Sequence, residues 1–154
     1  MAVDVGTQAP DFEVPASTGD KVRLSSYRGE KHVALVFYPF TFTGVCRGEL
    51  CELRDDLRSF DAAGVQVLAI SCDSVHSQRK WADEEGFSFP LLSDFWPHGE
   101  VSRAYGVFNE ALGCAMRHTF LIGTDGTVVA TFASADLRTP RQKEEYHAAL
   151  ARLG

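Results

Sequence analysis

FYPFTFTGVCRGELCELRDDL, residues 37–57, decides how the rest of the chain is read. An apolar run from Val33 to Tyr38 stops at Pro39, which has no N–H to give to a strand ladder. A short loop holding Thr41, Thr43 and Gly44 follows, and a helical pattern then opens with Cys46 in its first turn. Strand, turn and a thiol at a helix start is an arrangement that makes a cysteine reactive. The unpaired N–H groups and the positive end of the helix dipole both stabilise negative charge on sulfur there. Gly44 lets backbone approach a ligand, and Thr43 offers a hydroxyl within reach. A second cysteine, Cys51, lies five residues further on.

Outward from this stretch the pattern is α/β. Upstream, Phe12 to Pro15 and Lys21 to Leu24 flank Ser17-Thr18-Gly19-Asp20 as a hairpin, and Ser25 to Gly29 is a turn or single helical turn. His32 to Tyr38 is apolar on both faces, as a central strand is. Downstream, Leu50, Leu53, Leu57 and Phe60 recur at helical spacing, which predicts one helix running from Cys46 to a stop at Gly64. Val65 to Ser71 is a second buried strand, hence a parallel neighbour of the first. A helix over 75–85 is capped by Asp73 or Ser74 and closed by Gly86, with Trp81 facing in. Phe87 to Leu92 is an edge strand or extended connection, 100–105 a short helix and 107–117 irregular. Thr119 to Ile122 and Thr127 to Phe132 form a hairpin, and 141–153 a final helix with Tyr146, Leu150 and Leu153 facing in. The whole, residues 1–154, reads as one domain with a mixed sheet and helices on both faces.

The totals remove several function classes. The net charge is −6 with both signs interspersed, so no basic stripe suits nucleic acid. No apolar run is long enough to span a membrane. The opening MAVDVGTQAPDF has neither a basic nor an apolar leader segment, so a cytoplasmic location is expected. The four cysteines contain no C-x2-C pair and the five histidines are scattered, so neither a metal nor a cofactor is expected. Redox or nucleophilic thiol chemistry is what remains.

At that point the motifs carry a resemblance. Pro39-x-x-x-Thr43-x-x-Cys46 resembles the signature of the peroxiredoxins, thiol peroxidases with a modified thioredoxin-like fold. The resemblance extends to Gly6-x-x-Ala9-Pro10-Asp11-Phe12, Phe89 to Asp94 and Arg117-x-Thr119-Phe120-Leu121-Ile122. The runs Ser93 to Gly99 and Tyr105 to Glu110 are most similar to the alkyl hydroperoxide reductase E branch. The resemblance implies that Cys46 is the peroxidatic thiolate, that Arg117 lies beside it and holds peroxide oxygens, and that Thr43 hydrogen-bonds the peroxide. Pro39 then shapes the pocket and Glu49 holds the arginine network. It also implies a hydroperoxide substrate, thioredoxin or a similar small thiol as reductant, and a homodimer contact through Trp96-Pro97-His98. Trp81 and Phe95 read as core or interface aromatics. Arg141 is an outside candidate for a second basic residue near the pocket. His118, next to Arg117, reads as solvated or as tuning local charge.

The spacing Cys46-x-x-x-x-Cys51 instead resembles the peroxiredoxin Q (bacterioferritin comigratory protein) branch, whose resolving cysteine sits there. Residues five apart in an intact helix lie about 8–9 Å apart between Cα atoms. A disulfide needs less than about 7 Å. An intramolecular Cys46–Cys51 bond therefore requires the first turns to unwind, which Gly48 makes easier. Resolution by an external thiol or by Cys114 stays open, with Cys72 read as structural. A disulfide oxidoreductase and a peroxide sensor are the competing functions; the lack of C-x-x-C counts against the first.

Overall fold

The two apolar strands on either side of the thiol stretch form the middle of the sheet. The structure is a computed structural model and describes residues 2–153. Strand β3 (His32–Phe37) lies parallel to β4 (Val65–Ser71) on one side and antiparallel to β8 (His118–Ile122) on the other. Edge strands β5 (Leu91–Ser93) and β9 (Val128–Ala133) complete the order β5-β4-β3-β8-β9. The hairpin of β1 (Glu13–Pro15) and β2 (Lys21–Arg23) stands apart as its own small sheet. This is the mixed sheet of a thioredoxin-like fold, as the motifs implied.

Alternation along β3 sorts the core into two layers. Ala34, Val36 and Tyr38 face one side, with Leu50, Leu53, Phe60, Trp81 and Tyr146. Val33, Leu35 and Phe37 face the other, with Val14, Val101, Tyr105 and Phe120. Both faces of the strand are dry, which is why its sequence is continuously apolar rather than alternating. The first layer is roofed by α1 (Gly44–Asp55), α2 (Leu57–Ala62), α3 (Val75–Glu85) and α5 (Lys143–Ala151), and the second by α4 (Glu100–Ala104) with the hairpin.

Several sequence expectations are corrected in detail. The single helix from Cys46 to Gly64 is two helices, broken at Asp56 (φ −107°, ψ 16°). Asp55-Asp56 opposes the negative end of α1 but suits the positive start of α2. The Asp56 carboxylate accepts from the Ser59 hydroxyl at 2.7 Å and lies 2.7 Å from His147 Nε2. Residues 107–117 are not wholly irregular, since β6 (Phe108–Asn109) pairs with β7 (Cys114–Ala115). The last helix begins at Lys143, so Arg141 lies in the approach to it. Within that helix Tyr146 and Ala149 are the buried residues and Leu150 is half-buried; the helix ends at Ala151, so half-buried Leu153 lies in the turn beyond it. Ser74, not Asp73, caps α3 by accepting from Ser77 N–H, and Gly86 closes it in the left-handed region (φ 70°). No helix among the described residues is long and apolar enough to cross a membrane.

Candidate active site

Antiparallel pairing of β3 with β8 sets the site. Phe37 is opposite His118, so the end of β3 and the start of β8 meet at the same edge of the sheet. The chain leaving β3 passes buried Pro39 and enters α1, whose first turn holds Cys46 with its side chain fully covered. Arg117, immediately before β8, arrives beside it from 71 residues away.

Arg117 is 4 % exposed. Its Nη1 donates to Cys46 Sγ at 3.1 Å and to Glu49 Oε1 at 2.8 Å, while its Nε donates to the Leu137 carbonyl at 2.9 Å. Glu49 lies three residues beyond Cys46, which puts both on the same inner face of α1. The same carboxylate receives Arg141 three times: backbone N–H at 2.6 Å, Nε at 3.0 Å and Nη2 at 2.9 Å. Burial works against the Glu49 carboxylate, but the hydrogen bonds and charge of Arg141, then the charge of Arg117, hold it below the usual range. Arg141 Nη1 also donates to Thr119, whose hydroxyl is hydrogen-bonded to Tyr146. One buried carboxylate thus fixes two guanidiniums, and one of those reaches the sulfur. Sequence reasoning held Arg141 only as an outsider, and the structure makes it the better-paired partner of Glu49.

The loop before Cys46 is pinned from below. Asp73 Oδ2 accepts from the Thr41 N–H at 2.8 Å, and the Tyr38 and Thr41 hydroxyls are 3.0 Å apart. Phe42 adopts a left-handed backbone (φ 70°), a strained conformation for a bulky residue, with its half-exposed ring tilted against Trp81. Thr43 starts α1, but its hydroxyl donates to the Phe40 carbonyl at 2.7 Å and not to a helix N–H. That leaves the Thr43 oxygen free to accept.

The structure brings Cys46, Glu49 and Arg117 together and sets Pro39 and Thr43 in the loop that leads to them. It does not join Cys51 to Cys46. All four cysteines are free, and positions 46 and 51 lie in one unbroken helix. Cys114 is fully buried; burial, then the charges of Cys46 and Asp73, push its thiol up to about 11. Cys72 sits 3.9 Å from the Ser102 hydroxyl, pushed up to about 12 by burial and then by the Asp94 charge. His118 is half-buried, and it is not simply solvated: its ring stacks on Phe120 at 4.6 Å and its Nε2 lies 2.6 Å from the Thr131 hydroxyl. Trp81 belongs to the core, whereas Phe95 and Trp96 are exposed.

Residues 5–131 match the AhpC/TSA family. The chain belongs to that family. It is a peroxiredoxin, and so an enzyme, a thiol-dependent peroxidase. Over 126 residues, 82 % of each chain, it is 50 % identical to alkyl hydroperoxide reductase E of Mycobacterium tuberculosis. Its fold is similar to the crystal structure of peroxidoxin BcpB from the same organism, with a TM-score of 0.85 and 34 % identity over 98 % of this chain and 96 % of that one. AhpC of Enterococcus faecalis is also similar, with a TM-score of 0.87 and 28 % identity over 96 % and 90 % of the two chains.

Proposed function

We propose that the enzyme reduces hydrogen peroxide and organic hydroperoxides at Cys46. The observation that carries this assignment is Arg117 Nη1, a single N–H donor group placed against both the Cys46 sulfur and the Glu49 carboxylate. The Cys46 thiolate attacks one peroxide oxygen, the S–O bond forms as the O–O bond breaks, and the departing alkoxide or hydroxide takes up a proton. Cys46 becomes a sulfenic acid. Nucleophilicity falls as a thiol becomes more acidic, so an activated thiolate alone does not give peroxidase speed. Arg117 supplies the other part, a preorganised cation for the charge growing on the leaving oxygen. Thr43, whose own proton is committed to the Phe40 carbonyl, accepts the O–H of the incoming hydroperoxide. Pro39 keeps the floor of the site dry, and Glu49 aims Arg117.

Cys51 then resolves the sulfenic acid as an intramolecular disulfide, which thioredoxin or a similar small thiol protein reduces. Residues 1–154 form one domain, which acts in the cytoplasm, and the exposed Trp96 loop supplies a homodimer contact. A one-cysteine cycle, in which an external thiol attacks the sulfenic acid, is the second reading, favoured by the unbroken helix between the two cysteines.

Mass spectrometry after one equivalent of hydrogen peroxide separates them. The expected product is a Cys46–Cys51 disulfide, lost in Cys51→Ser with the sulfenic acid persisting; Cys46→Ser abolishes consumption of peroxide. A sulfenic acid that persists equally in the wild type rejects Cys51 and selects the external thiol.

A further inference from the structure

Glu85 closes α3, and α1 is tied to it at three successive turns. Arg47 Nε donates to Glu85 Oε2 at 2.8 Å, the Cys51 thiol to Oε1 at 3.6 Å, and Arg54 Nη1 to the Glu85 carbonyl at 2.5 Å. Positions 47, 51 and 54 follow the i, i+4, i+7 spacing of one helix face, so one stripe of α1 ends on one residue. The anchor is firm. Trp81 is buried, Ser74 caps the start of α3, and left-handed Gly86 stops its end. The tie also spans the segment that has to open. Cys46 and Cys51 cannot meet while α1 is intact, and Arg47 and Cys51 bracket Gly48, the weakest helix former of those turns.

We propose that Glu85 is the latch of the resolving step: it holds α1 wound until Cys46 is oxidised, and so sets how fast the Cys46–Cys51 disulfide forms. This rests on the assignment of Cys51 as the resolving residue. Opening α1 breaks the Arg47 pair and withdraws the thiol from its acceptor. Burial, and then the Glu85 charge against the opposing pull of Arg54, pushes the Cys51 thiol up, so that it waits as a neutral donor. In the reaction Cys51 loses its proton, and its sulfur lone pair attacks the sulfenic sulfur of Cys46. The S–S bond forms, the S–O bond breaks, and hydroxide leaves with a proton as water. Cys51 is oxidised as the sulfenic sulfur is reduced. Glu85 is a positioning residue, acting through α1.

Two measurements on the wild type, Glu85→Ala and Glu85→Gln test it. Hydrogen exchange of the reduced protein reads how tightly residues 44–51 are wound. Quenched-flow mass spectrometry after stoichiometric hydrogen peroxide reads how fast the disulfide appears. Glu85→Ala is expected to lose protection over 44–51 and to form the disulfide about three- to fivefold faster, the scale of a partly exposed ion pair. Glu85→Gln falls between, because the amide keeps an acceptor for the Cys51 thiol and loses the charge facing Arg47. Equal or slower disulfide formation in Glu85→Ala overturns the latch. If the wild type itself forms no Cys46–Cys51 bond, the resolving assignment fails separately. The latch is then decided by exchange alone, with unchanged protection in Glu85→Ala counting against it.

Discussion

Two faces of α1 carry the same parts in opposite electrical order. On the inner face a carboxylate, Glu49, binds Arg117 and Arg141, and the neighbouring sulfur of Cys46 receives an N–H from the arginine. On the outer face a carboxylate, Glu85, binds Arg47, and the neighbouring Cys51 thiol donates a hydrogen bond to that acid at 3.6 Å. The Cys46 sulfur meets Arg117, whereas the Cys51 sulfur lies among Glu85, Arg54 and Arg47, with its hydrogen bond going to the acid. Burial widens the difference: the Glu49 side chain is 3 % exposed, whereas Arg47 is 61 % exposed. Two thiols on one helix can therefore sit in different surroundings by what each face meets.

The largest test of this contrast is removal of the inner acid. Glu49→Ala leaves two buried guanidiniums without their carboxylate, and loss of one partner from a buried pair costs about 3–5 kcal/mol. Urea unfolding at pH 7 is expected to show that loss, and only a minor change for Glu85→Ala. Similar midpoints for the two variants would break the distinction between the knots.

Acid comes next. Burial, then the Arg141 charge, pushes His118 down to about 4. The unfolded chain takes up this proton first, so stability falls as pH drops from about 6.5 towards 4. Glu49, held low in the fold, contributes stability that is present in full above about 4.3 and is lost as pH falls through its folded value, the same direction as His118. The unfolding free energy from urea titrations is expected to fall by roughly 1–2 kcal/mol between pH 7 and pH 5, the ring being partly exposed to solvent. His118→Gln should flatten that slope, and a flat wild-type profile would remove His118 from the account.

The smallest effect sharpens the outer face. A Cβ built on Gly48 meets nothing within 4 Å, so alanine fits. Gly48→Ala should strengthen α1 by about 1 kcal/mol. Disulfide formation should then slow about fivefold, measured by the same quenched-flow assay. No slowing would mean that the first turns do not unwind before the disulfide forms.

How far the sequence reached follows from where the contacts lie. Pro39, Thr43, Cys46 and Glu49 fall within eleven residues, and strand, turn and helix signals suffice to place them. Arg117 needed the family resemblance, because nothing in the residues around it marks a partner 71 positions away. Arg141 reads from the sequence as the first residue of a helix that in fact starts at Lys143. Pro140, just before it, was the one local sign of a chain still in transit. The outer knot was illegible, since Arg47, Arg54 and Glu85 read as ordinary solvated charges until α1 and α3 are set side by side. Strands β6 and β7, two residues each, are too short for alternation to reveal.

The pairing of β3 with β8 bears on when the chemistry can begin. Cys46 and Glu49 are made early, but Arg117 and Arg141 follow only after most of the chain has been synthesised. Their contacts close loops of 71 and 92 residues. Local helices form first and such long closures last. On the proposed assignment of Cys46 and Arg117, a nascent or partly folded chain has no arginine beside its cysteine, and peroxidase chemistry waits until the distant ends of the fold have met. Activity is then its own certificate of completed folding.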